Sequence, residues 1–353
     1  MVEECRINNH LQGGIVLEGT KKNIVMISKC KFYGNKVFHI EITGFMNRAL
    51  IEDNYFQGDS TSTGIKIGVG TKPRIFNNQI RDMEYGLELV SCDAVVVKNQ
   101  ISGCVDGIWS QTFSGFINES RLKLNEISDN EDNGIRVTGE KNFTVVVQNV
   151  SICKNKKAGV RVEVQAKAKI RKNRIYDNAD QGILIVENSN AFVEGNAIFH
   201  NIKANIALGG DRSQNSVIVG NRLYKSSSEG IFVMLAGRCI IYNNQIYGNY
   251  DGIVILEAVP EISFNCIYEN KNNGLHVLRG SLPVMRSNEV YGNEGVGMIL
   301  RHKSLGVIEQ NQIVDNELEL AIEYRTPGMR KILEKNEING EYRLPAKDFC
   351  ALI

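Results

Sequence analysis

Short runs of alternating apolar and polar residues recur along this chain. Residues 134–137 read Gly-Ile-Arg-Val, and residues 159–164 read Gly-Val-Arg-Val-Glu-Val. Alternation at a period of two in Ile/Val-rich runs is typical of β-strands. No ten-residue stretch carries a convincing helical stripe, and Asn or Gly interrupts every run. The pattern therefore predicts an all-β chain of many short strands.

The strands belong to a repeat of about 23 residues that is marked by asparagine. A phrase Asn-x-Ile-x-x-Asn precedes Gly-Ile-x-Val, as in residues 173–185 and, with small changes, 265–277. A fixed period of this length indicates stacked supersecondary units. Leucine-rich repeats share the period and an asparagine, but their Leu-x-x-Leu-x-Leu spacing is missing and Ile and Val dominate here. The recurring asparagines are Asn54, Asn78, Asn99, Asn125, Asn149, Asn173, Asn196, Asn221, Asn244, Asn265, Asn288, Asn311 and Asn336.

We predict an all-β solenoid, a right-handed single-stranded parallel β-helix of about 15 rungs. Residues 1–340 form the repeat domain, and residues 341–353 form a C-terminal cap or tail. Asparagine tolerates the left-handed backbone of a bend, and its amide can bond the equivalent amide one rung away. Cys5 and Cys30 take the ladder position in the first two rungs, and the recurring glycine lets the chain turn into the next strand.

Composition excludes several classes of partner. The chain has 41 basic and 40 acidic residues and a net charge of +1, so neither nucleic acid nor an anionic membrane is favoured. Its eight cysteines form no Cys-x-x-Cys pair and share no spacing with the histidines, so we predict no metal site and no cofactor. Small buried thiols and the lack of a secretory signal predict an intracellular, cytoplasmic or cytoskeletal location.

The strand after the recurring glycine predicts which side chains point outward. If Ile183 and Ile185 face the core, Leu184 and Val186 face away. The same phase turns a column that is charged in the first half into an apolar one over five rungs, spanning roughly 20 Å. A patch of several hundred Å² usually marks an interaction surface. A covering loop or tail, or a phase error of one residue, would be the alternative.

We call the later part of this column the apolar strip and predict that it binds a partner. Ala207 and Gly209 lie between its large members, and His276 shares the column. The earlier, charged part contains Lys66, Glu88, Trp109, Arg136, Arg161 and Glu163. The predicted binding residues of the apolar strip are Leu184, Val186, Phe232, Met234, Val254, Leu256 and Leu278.

The repeat resembles the parallel β-helix repeats of PbH1/CASH type, and in particular the β-helix of the F-box only protein 11 family. Residues 173–183 and 288–293 carry this resemblance, which covers about residues 1–340. The resemblance implies a β-helix that recognises protein substrates for ubiquitination. No F-box precedes the repeats and no Cys/His-rich zinc finger follows them.

Catalytic chemistry is not predicted. Residues 325–330 match the Arg-x-Pro-x-x-Arg pattern of pectate lyases, but no Asp cluster accompanies Arg325 and Arg330. The main hypothesis is a non-enzymatic protein-interaction rod, either a recognition module or a structural subunit of an intracellular, cytoskeletal or ciliary assembly. Its protein partners would bind the apolar strip and an uncapped N-terminal end. The alternative is a carbohydrate-active lyase or epimerase on a polysaccharide.

Overall fold

The chain folds as a parallel β-solenoid, which confirms the predicted fold class. It has about 14 turns and almost no helix, close to the 15 rungs expected from the repeat. The chain divides into two compact units, Met1–Lys203 and Ala204–Ile353. The computed structural model describes residues 1–19, 24–113, 120–139, 144–210, 215–235, 238–324 and 328–345.

Each turn of the first unit supplies one short strand to each of three parallel sheets. Sheet 1 begins with the first strand of the unit, sheet 2 with the second and sheet 3 with the third. Within each sheet, every strand pairs with the strand three positions later in the chain. The strands are β1 (Val2–Glu3), β2 (Arg6–Asn8), β3 (Gly13–Glu18), β4 (Met26–Ser28), β5 (Lys31–Tyr33), β6 (Phe38–Thr43), β7 (Leu50–Glu52), β8 (Tyr55–Gln57), β9 (Thr63–Ile67), β10 (Arg74–Phe76), β11 (Gln79–Arg81), β12 (Tyr85–Val90), β13 (Val95–Val97), β14 (Gln100–Ser102), β15 (Asp106–Thr112), β16 (Arg121–Lys123), β17 (Glu126–Ser128), β18 (Ile135–Gly139), β19 (Val145–Gln148), β20 (Ser151–Cys153), β21 (Val160–Glu163), β22 (Lys167–Arg171), β23 (Arg174–Tyr176), β24 (Ile183–Ile185), β25 (Asn190–Glu194) and β26 (Ala197–Phe199).

The strands of the second unit are again arranged in three parallel sheets. Within this unit we label as sheet 4 the strands that follow from its second strand, as sheet 5 those from its third and as sheet 6 those from its first. A single short helix, α1, is described between the last strands. The elements are β27 (Ile206–Gly209), β28 (Val217–Val219), β29 (Arg222–Tyr224), β30 (Glu229–Met234), β31 (Ile240–Tyr242), β32 (Gln245–Tyr247), β33 (Asp251–Leu256), β34 (Glu261–Ser263), β35 (Cys266–Tyr268), β36 (Leu275–Leu278), β37 (Val284–Arg286), β38 (Glu289–Tyr291), β39 (Val296–Leu300), β40 (Val307–Glu309), β41 (Gln312–Val314), β42 (Leu318–Ile322), α1 (Met329–Lys335), β43 (Glu337–Asn339) and β44 (Tyr342–Arg343).

The C-terminal end continues the repeat further than residue 340. Strand β44 pairs in parallel with β42, and Leu320 lies opposite Tyr342. Residues 346–353 lie outside the described part of the chain, so the predicted C-terminal cap stays a prediction.

The asparagine ladder exists, and it lies where sheets 1 and 2, or sheets 4 and 5, meet. In the second unit the Asn244 amide nitrogen donates to Asn265 Oδ1 at 2.9 Å and to the Ile218 carbonyl at 2.9 Å. Asn244 Oδ1 accepts in turn from the backbone and side-chain nitrogens of Asn221, each at 2.9 Å. Asn244 is 1% exposed. Each ladder amide therefore fastens one turn to the next with all of its hydrogen-bonding groups in use.

Two details of the predicted ladder are wrong. Val150 occupies the ladder position that was assigned to Asn149, because its backbone nitrogen donates to Asn173 Oδ1 at 2.9 Å, whereas Asn149 is exposed. The left-handed backbone also belongs to the residue before the ladder position, as at Asn243 with φ of 52° before Asn244. The predicted role of Cys30 is confirmed, since its backbone nitrogen donates to Asn54 Oδ1 at 2.9 Å.

The recurring glycine is required for packing rather than for a special dihedral angle. A Cβ at Gly134 would lie 2.6 Å from Ile152 Cγ2 and 2.7 Å from the Gly159 carbonyl oxygen. Its φ is not in the left-handed region that favours glycine. The expected reason, a turn that only glycine can make, is therefore wrong. Glycine is present because the neighbouring turn approaches too closely for a side chain.

We expect Asn244→Leu to lower the thermal unfolding midpoint clearly. The substitution removes the acceptor of two Asn221 donors and the donor to Ile218, and each unmet buried group costs about 1–3 kcal/mol. Gln245→Leu is the matched control, because Gln245 is exposed on the adjacent strand. Equal melting of the two variants in a circular dichroism scan would contradict a stabilising ladder.

A buried histidine in the first unit makes stability depend on pH. Burial lowers the pKa of His39 to about 4, and its Nδ1 lies 2.8 Å from the Asn35 amide nitrogen. In the unfolded chain the imidazole titrates near its ordinary pKa of about 6.5. Protons then bind the unfolded state first as the pH falls, so this group costs stability between about pH 6.5 and about pH 4.

Replacing His39 should therefore flatten the acid side of the stability profile. Between about pH 7 and about pH 4, we expect the free energy of unfolding of His39→Leu to fall by up to about 3 kcal/mol less than that of the parent chain. Urea unfolding at a series of pH values measures the difference. Parallel profiles for the two chains would show that His39 is not the titrating group.

Candidate functional site

A column of polar and charged side chains runs along the outer face of sheet 3 in the first unit. Parallel register places each member opposite its equivalent on the next turn, so side chains that are more than 20 residues apart in sequence become neighbours. The column reads Glu41, Lys66, Glu88, Trp109, Arg136, Arg161 and Leu184 in register order. We call its members from Lys66 to Arg161, together with Tyr85, Asp106 and Glu163 beside them, the charged face.

Two arginines and one buried carboxylate form the centre of the charged face. Arg136 Nε donates to Glu163 Oε1 at 2.6 Å, and Arg161 Nε donates to Glu163 Oε2 at 2.6 Å. Arg136 also lies 3.8 Å from Asp106 Oδ2. The Glu163 side chain is only 4% exposed, whereas the Arg136 and Arg161 side chains are 35% and 31% exposed. The carboxylate therefore holds both guanidinium groups in place while part of each still faces solvent.

Trp109, the one tryptophan of the sequence, packs between neighbours on this face. Its ring centroid lies 4.8 Å from that of Tyr85, and the Arg136 guanidinium carbon lies 5.6 Å from the indole centroid. The indole Nε1 donates to Thr138 Oγ1 at 3.0 Å. These contacts fix the ring, and the residue stays partly exposed. A fixed, half-exposed indole offers an apolar contact surface at low entropic cost.

Glu88 has the environment of an acid–base group. Burial raises the pKa of Glu88, while the Lys66 charge and a hydrogen bond from Gln111 oppose this effect. The Gln111 amide donates to Glu88 Oε1 at 3.0 Å. Lys66 Nζ forms an ion pair with Glu41 Oε1 at 3.4 Å. A carboxyl group whose pKa lies above its usual range can exchange a proton at a less acidic pH.

The pKa values of Asp106 and Glu163 are shifted in opposite directions. Burial raises the pKa of Asp106, although hydrogen bonds from Asn133 partly offset it. Burial also acts to raise the pKa of Glu163, but hydrogen bonds from Arg161 and Arg136 hold it below its usual range. Two carboxyl groups whose pKa values are shifted in opposite directions can take different roles, one as an acid and one as a fixed negative charge.

The charged face can therefore hold an anionic group and move protons beside it. Partly exposed guanidinium groups recognise carboxylates in a planar, bidentate manner. Among the residues that the structure describes, no group of three or more His, Cys, Asp or Glu is placed to hold a metal ion. Within the same ranges, no helix has the length and apolar character that crossing a membrane requires.

Most of the predicted binding residues of the apolar strip lie in the second unit and are not part of the charged face. Leu184 ends the charged column on β24 of sheet 3, opposite Arg161, and Val186 follows that strand; both are half-buried. In the second unit, Phe232 and Met234 alternate with Ile231 and Val233, which are both 0% exposed. Phe232, Met234, Leu256 and Leu278 are half-buried on sheet 6, but Val254 is only 6% exposed.

Within the second unit, the register brings most of these strip residues together. Phe232 lies opposite Val254, and Met234 lies opposite Leu256. His276 and Leu278 follow opposite Val254 and Leu256. Burial lowers the pKa of His276. The strip offers apolar surface, and its role in partner binding stays a prediction.

The arginine motif gains no catalytic surroundings from the structure. Arg330 lies on α1 with its side chain 89% exposed and donates to Glu334 at 2.9 Å. Arg325 lies outside the described residues.

The sequence predicts an outward column that contains six residues of the charged face but neither Tyr85 nor Asp106, and no function follows from that column alone. The available signal was the order Glu88, Trp109, Arg136 in one outward column, which places a carboxylate, an aromatic ring and a cation on consecutive turns. Asp106 and Glu163 could not be recognised as site residues from the sequence, because their burial and their shifted pKa values depend on other turns.

Comparisons with known proteins identify the fold. The family model for the right-handed β-helix region matches residues 1–146, 116–257 and 206–342. The periplasmic alginate epimerase AlgG is similar, with a TM-score of 0.62 and 12% identity over 86% of this chain and 76% of that chain. The A-module of the Azotobacter vinelandii mannuronan C-5 epimerase AlgE6 has a TM-score of 0.44 and 11% identity over 97% and 91%. The enzymatically active domain of bacteriophage CBA120 tailspike protein 2 has a TM-score of 0.47 and 12% identity, over 83% of this chain and 47% of that chain. No curated protein matches the chain.

The hypothesis of a non-enzymatic interaction rod is wrong in the light of these comparisons. The similar structure with a TM-score above 0.5 is that of the alginate epimerase AlgG. It favours the alternative, a carbohydrate-active lyase or epimerase. At 12% identity the likeness to AlgG shows the fold alone, so an activity for this chain is a proposal.

Replacing Glu163 tests how the charged face is held together. We expect Glu163→Gln to lower the free energy of unfolding by about 2 kcal/mol at neutral pH, because one neutral amide replaces two charge-assisted hydrogen bonds. Added salt should reduce the loss, since it screens the two uncompensated arginines from each other.

Glu194→Gln is the matched control for this measurement. Glu194 accepts from Arg171 Nε at 2.9 Å, but both side chains are 41% exposed. An exposed pair contributes about 0–1 kcal/mol, so this control should change urea unfolding little. Equal stabilities for the two variants would mean that Glu163 does not organise the face.

Proposed function

The chain belongs to the right-handed β-helix family, and on this fold we propose that the charged face binds an acidic polysaccharide and acts on it as a lyase or epimerase. The observation that carries the proposal is one outward column in which two arginines, a tryptophan and a carboxyl group of raised pKa lie on consecutive turns. This combination matches the needs of a sugar ring that bears a carboxylate.

Arg136 and Arg161 bind the carboxylate of the sugar. Both approach the outer surface of sheet 3, and Glu163 orients them without covering them fully. A cation beside that carboxylate stabilises the negative charge that develops when the adjacent carbon loses its proton. Trp109 supplies an apolar surface for the C–H side of the ring.

Glu88 acts as the base in this scheme. It lies opposite Trp109 on the preceding turn, and its raised pKa brings proton exchange nearer to neutral pH. A lyase takes the proton next to the carboxylate and expels the glycosidic oxygen at the neighbouring position. An epimerase returns a proton to the opposite side of the same carbon, and Tyr85, whose pKa burial raises, is the donor on this face.

The fold shared with an alginate epimerase supports this choice of substrate class. The resemblance to the β-helix of the F-box only protein 11 family remains a proposal about the repeat, and recognition of ubiquitination substrates is not drawn from it. The predicted intracellular location stays a prediction.

The activity is tested with alginate, polymannuronate and polygalacturonate as substrates. A lyase gives unsaturated products that absorb in the ultraviolet, and an epimerase changes the uronate composition seen by proton NMR. We expect Glu88→Gln to reduce turnover by about 10²–10⁴-fold, the usual contribution of a general base. Arg161→Gln should raise KM and also lower kcat, because Arg161 holds the sugar carboxylate and stabilises the charge that develops on it.

The pH profile and a control complete the test. Because Glu88 must lose its proton to act, activity should fall as the pH drops through its raised pKa, above the usual carboxylate range. Glu194→Gln, on sheet 1, should keep full activity. No turnover of any acidic polymer, or turnover that Glu88→Gln leaves intact, would refute the assignment.

A further inference from the structure

A cleft lies on sheet 2 of the first unit, away from the strands that carry the charged face. The outward side chains at the ends of β14 and β17 are Ser102 and Ser128, whereas Arg81 ends the preceding strand, β11. Register places Arg81 opposite Ser102, and Ser102 opposite Ser128. Two small residues in a row leave a cleft of about 370 Å³, whose other lining residues include Gln100, Glu126 and Asp129.

The polar side chains of this cleft are not used to stabilise the fold. Arg81, Gln100, Glu126 and Asp129 are exposed, and Ser102 and Ser128 are half-buried. Their backbone groups hold the turns together, as in the bond from the Asp129 nitrogen to the Cys153 carbonyl at 3.2 Å. Across the described ranges, no side-chain hydrogen bond or ion pair engages any of the six. Donors and acceptors therefore converge on the cleft with their capacity free.

Size and charge narrow the class of ligand. Small-molecule sites in proteins usually measure about 300–1,000 Å³, so a cleft of about 370 Å³ fits one small ligand. A second concavity, beside Arg74 and Phe76 on sheet 1, measures about 260 Å³ and falls below that range. One arginine against two carboxylates leaves the lining with a net negative charge, which disfavours an anionic ligand.

We propose that this cleft binds a single uncharged sugar ring. Adjacent ring hydroxyls both donate and accept, and the cleft offers the Arg81 guanidinium and Gln100 amide as donors and the Glu126 and Asp129 carboxylates as acceptors. The Ser102 and Ser128 hydroxyls form a floor that accommodates either role. The site is separate from the proposed activity, which acts on an acidic polymer at sheet 3.

Saturation-transfer NMR of the full chain tests the proposal with D-glucose, D-galactose, D-mannose and D-glucuronate. A ligand of about a dozen heavy atoms with modest efficiency binds with a Kd of about 1 mM. We expect at least one neutral hexose to reach this affinity, and D-glucuronate to bind several-fold more weakly because the lining repels its carboxylate.

Ser128→Leu fills the floor of the cleft and leaves its charges in place, so hexose binding should weaken about tenfold or more. Ser263→Leu is the control, because Ser263 ends β34, which has the same Glu-Ile-Ser sequence and burial pattern as β17. If Ser128→Leu fails to fold, Glu126→Gln replaces it and should weaken the same signal.

Two results would overturn the proposal: no neutral hexose binding in the millimolar range, or hexose binding that both cleft variants leave unchanged. Because the probe is a neutral monosaccharide, failure here leaves the polysaccharide assay at Glu88 unaffected. Loss of polymer turnover with intact hexose binding would in turn refute only the proposed function.

Discussion

The rest of the structure depends on the buried amide that joins one turn to the next. The strands are only two to seven residues long, so their own hydrogen bonds leave much of the register to such amides. A second buried ladder works beside the first, as in the hydrogen bonds that join Asn249, Asn270 and Asn293. In the second unit each ladder asparagine accepts from the turn before and donates to the turn after, as Asn265 does between Asn244 and Asn288. Slipping by one residue would leave these amides unpaired in a dry interior, which costs about 1–3 kcal/mol for each group. The inner polar ladder therefore reinforces the register that the alternation of buried and outward side chains also specifies.

Fixed register has a consequence on the outside of each unit. Because equivalent residues are held one above another, outward side chains of one kind form regular columns. In the second unit Tyr247, Tyr268 and Tyr291 stack with ring centroids 4.9 and 5.1 Å apart and nearly parallel planes. In the first unit the same geometry sets Arg136 beside Arg161, an arrangement of like charges that is unfavourable by itself. Glu163 resolves it by accepting from both.

The fold could be predicted from the sequence because the repeat expresses it directly. Period, strand alternation and the ladder position all depend on residues within one turn, and they were sufficient for the parallel β-solenoid. The errors arose where two neighbouring residues satisfy the same period. Asn149 is the asparagine at this point of the repeat, but Val150 occupies the ladder position. The spacing alone cannot show which of the two residues does so. The close approach that explains Gly134 likewise lies between turns and not within one.

The candidate site could be predicted only in part, because its chemistry arises between turns. The sequence placed Glu88, Trp109 and Arg136 in one outward column, and register confirms that column. It could not show that burial raises the pKa of Glu88, since that burial comes from residues on adjacent turns. Apolar exposure is visible in a sequence and a shifted pKa is not, so the sequence alone favours the apolar column over the charged one. In a solenoid whose inner ladder already fixes the backbone, outward columns can vary without cost to the fold. The charged face places buried carboxyls beside paired arginines and spends stability on desolvation that a purely structural surface would not require, which is why a site is inferred there.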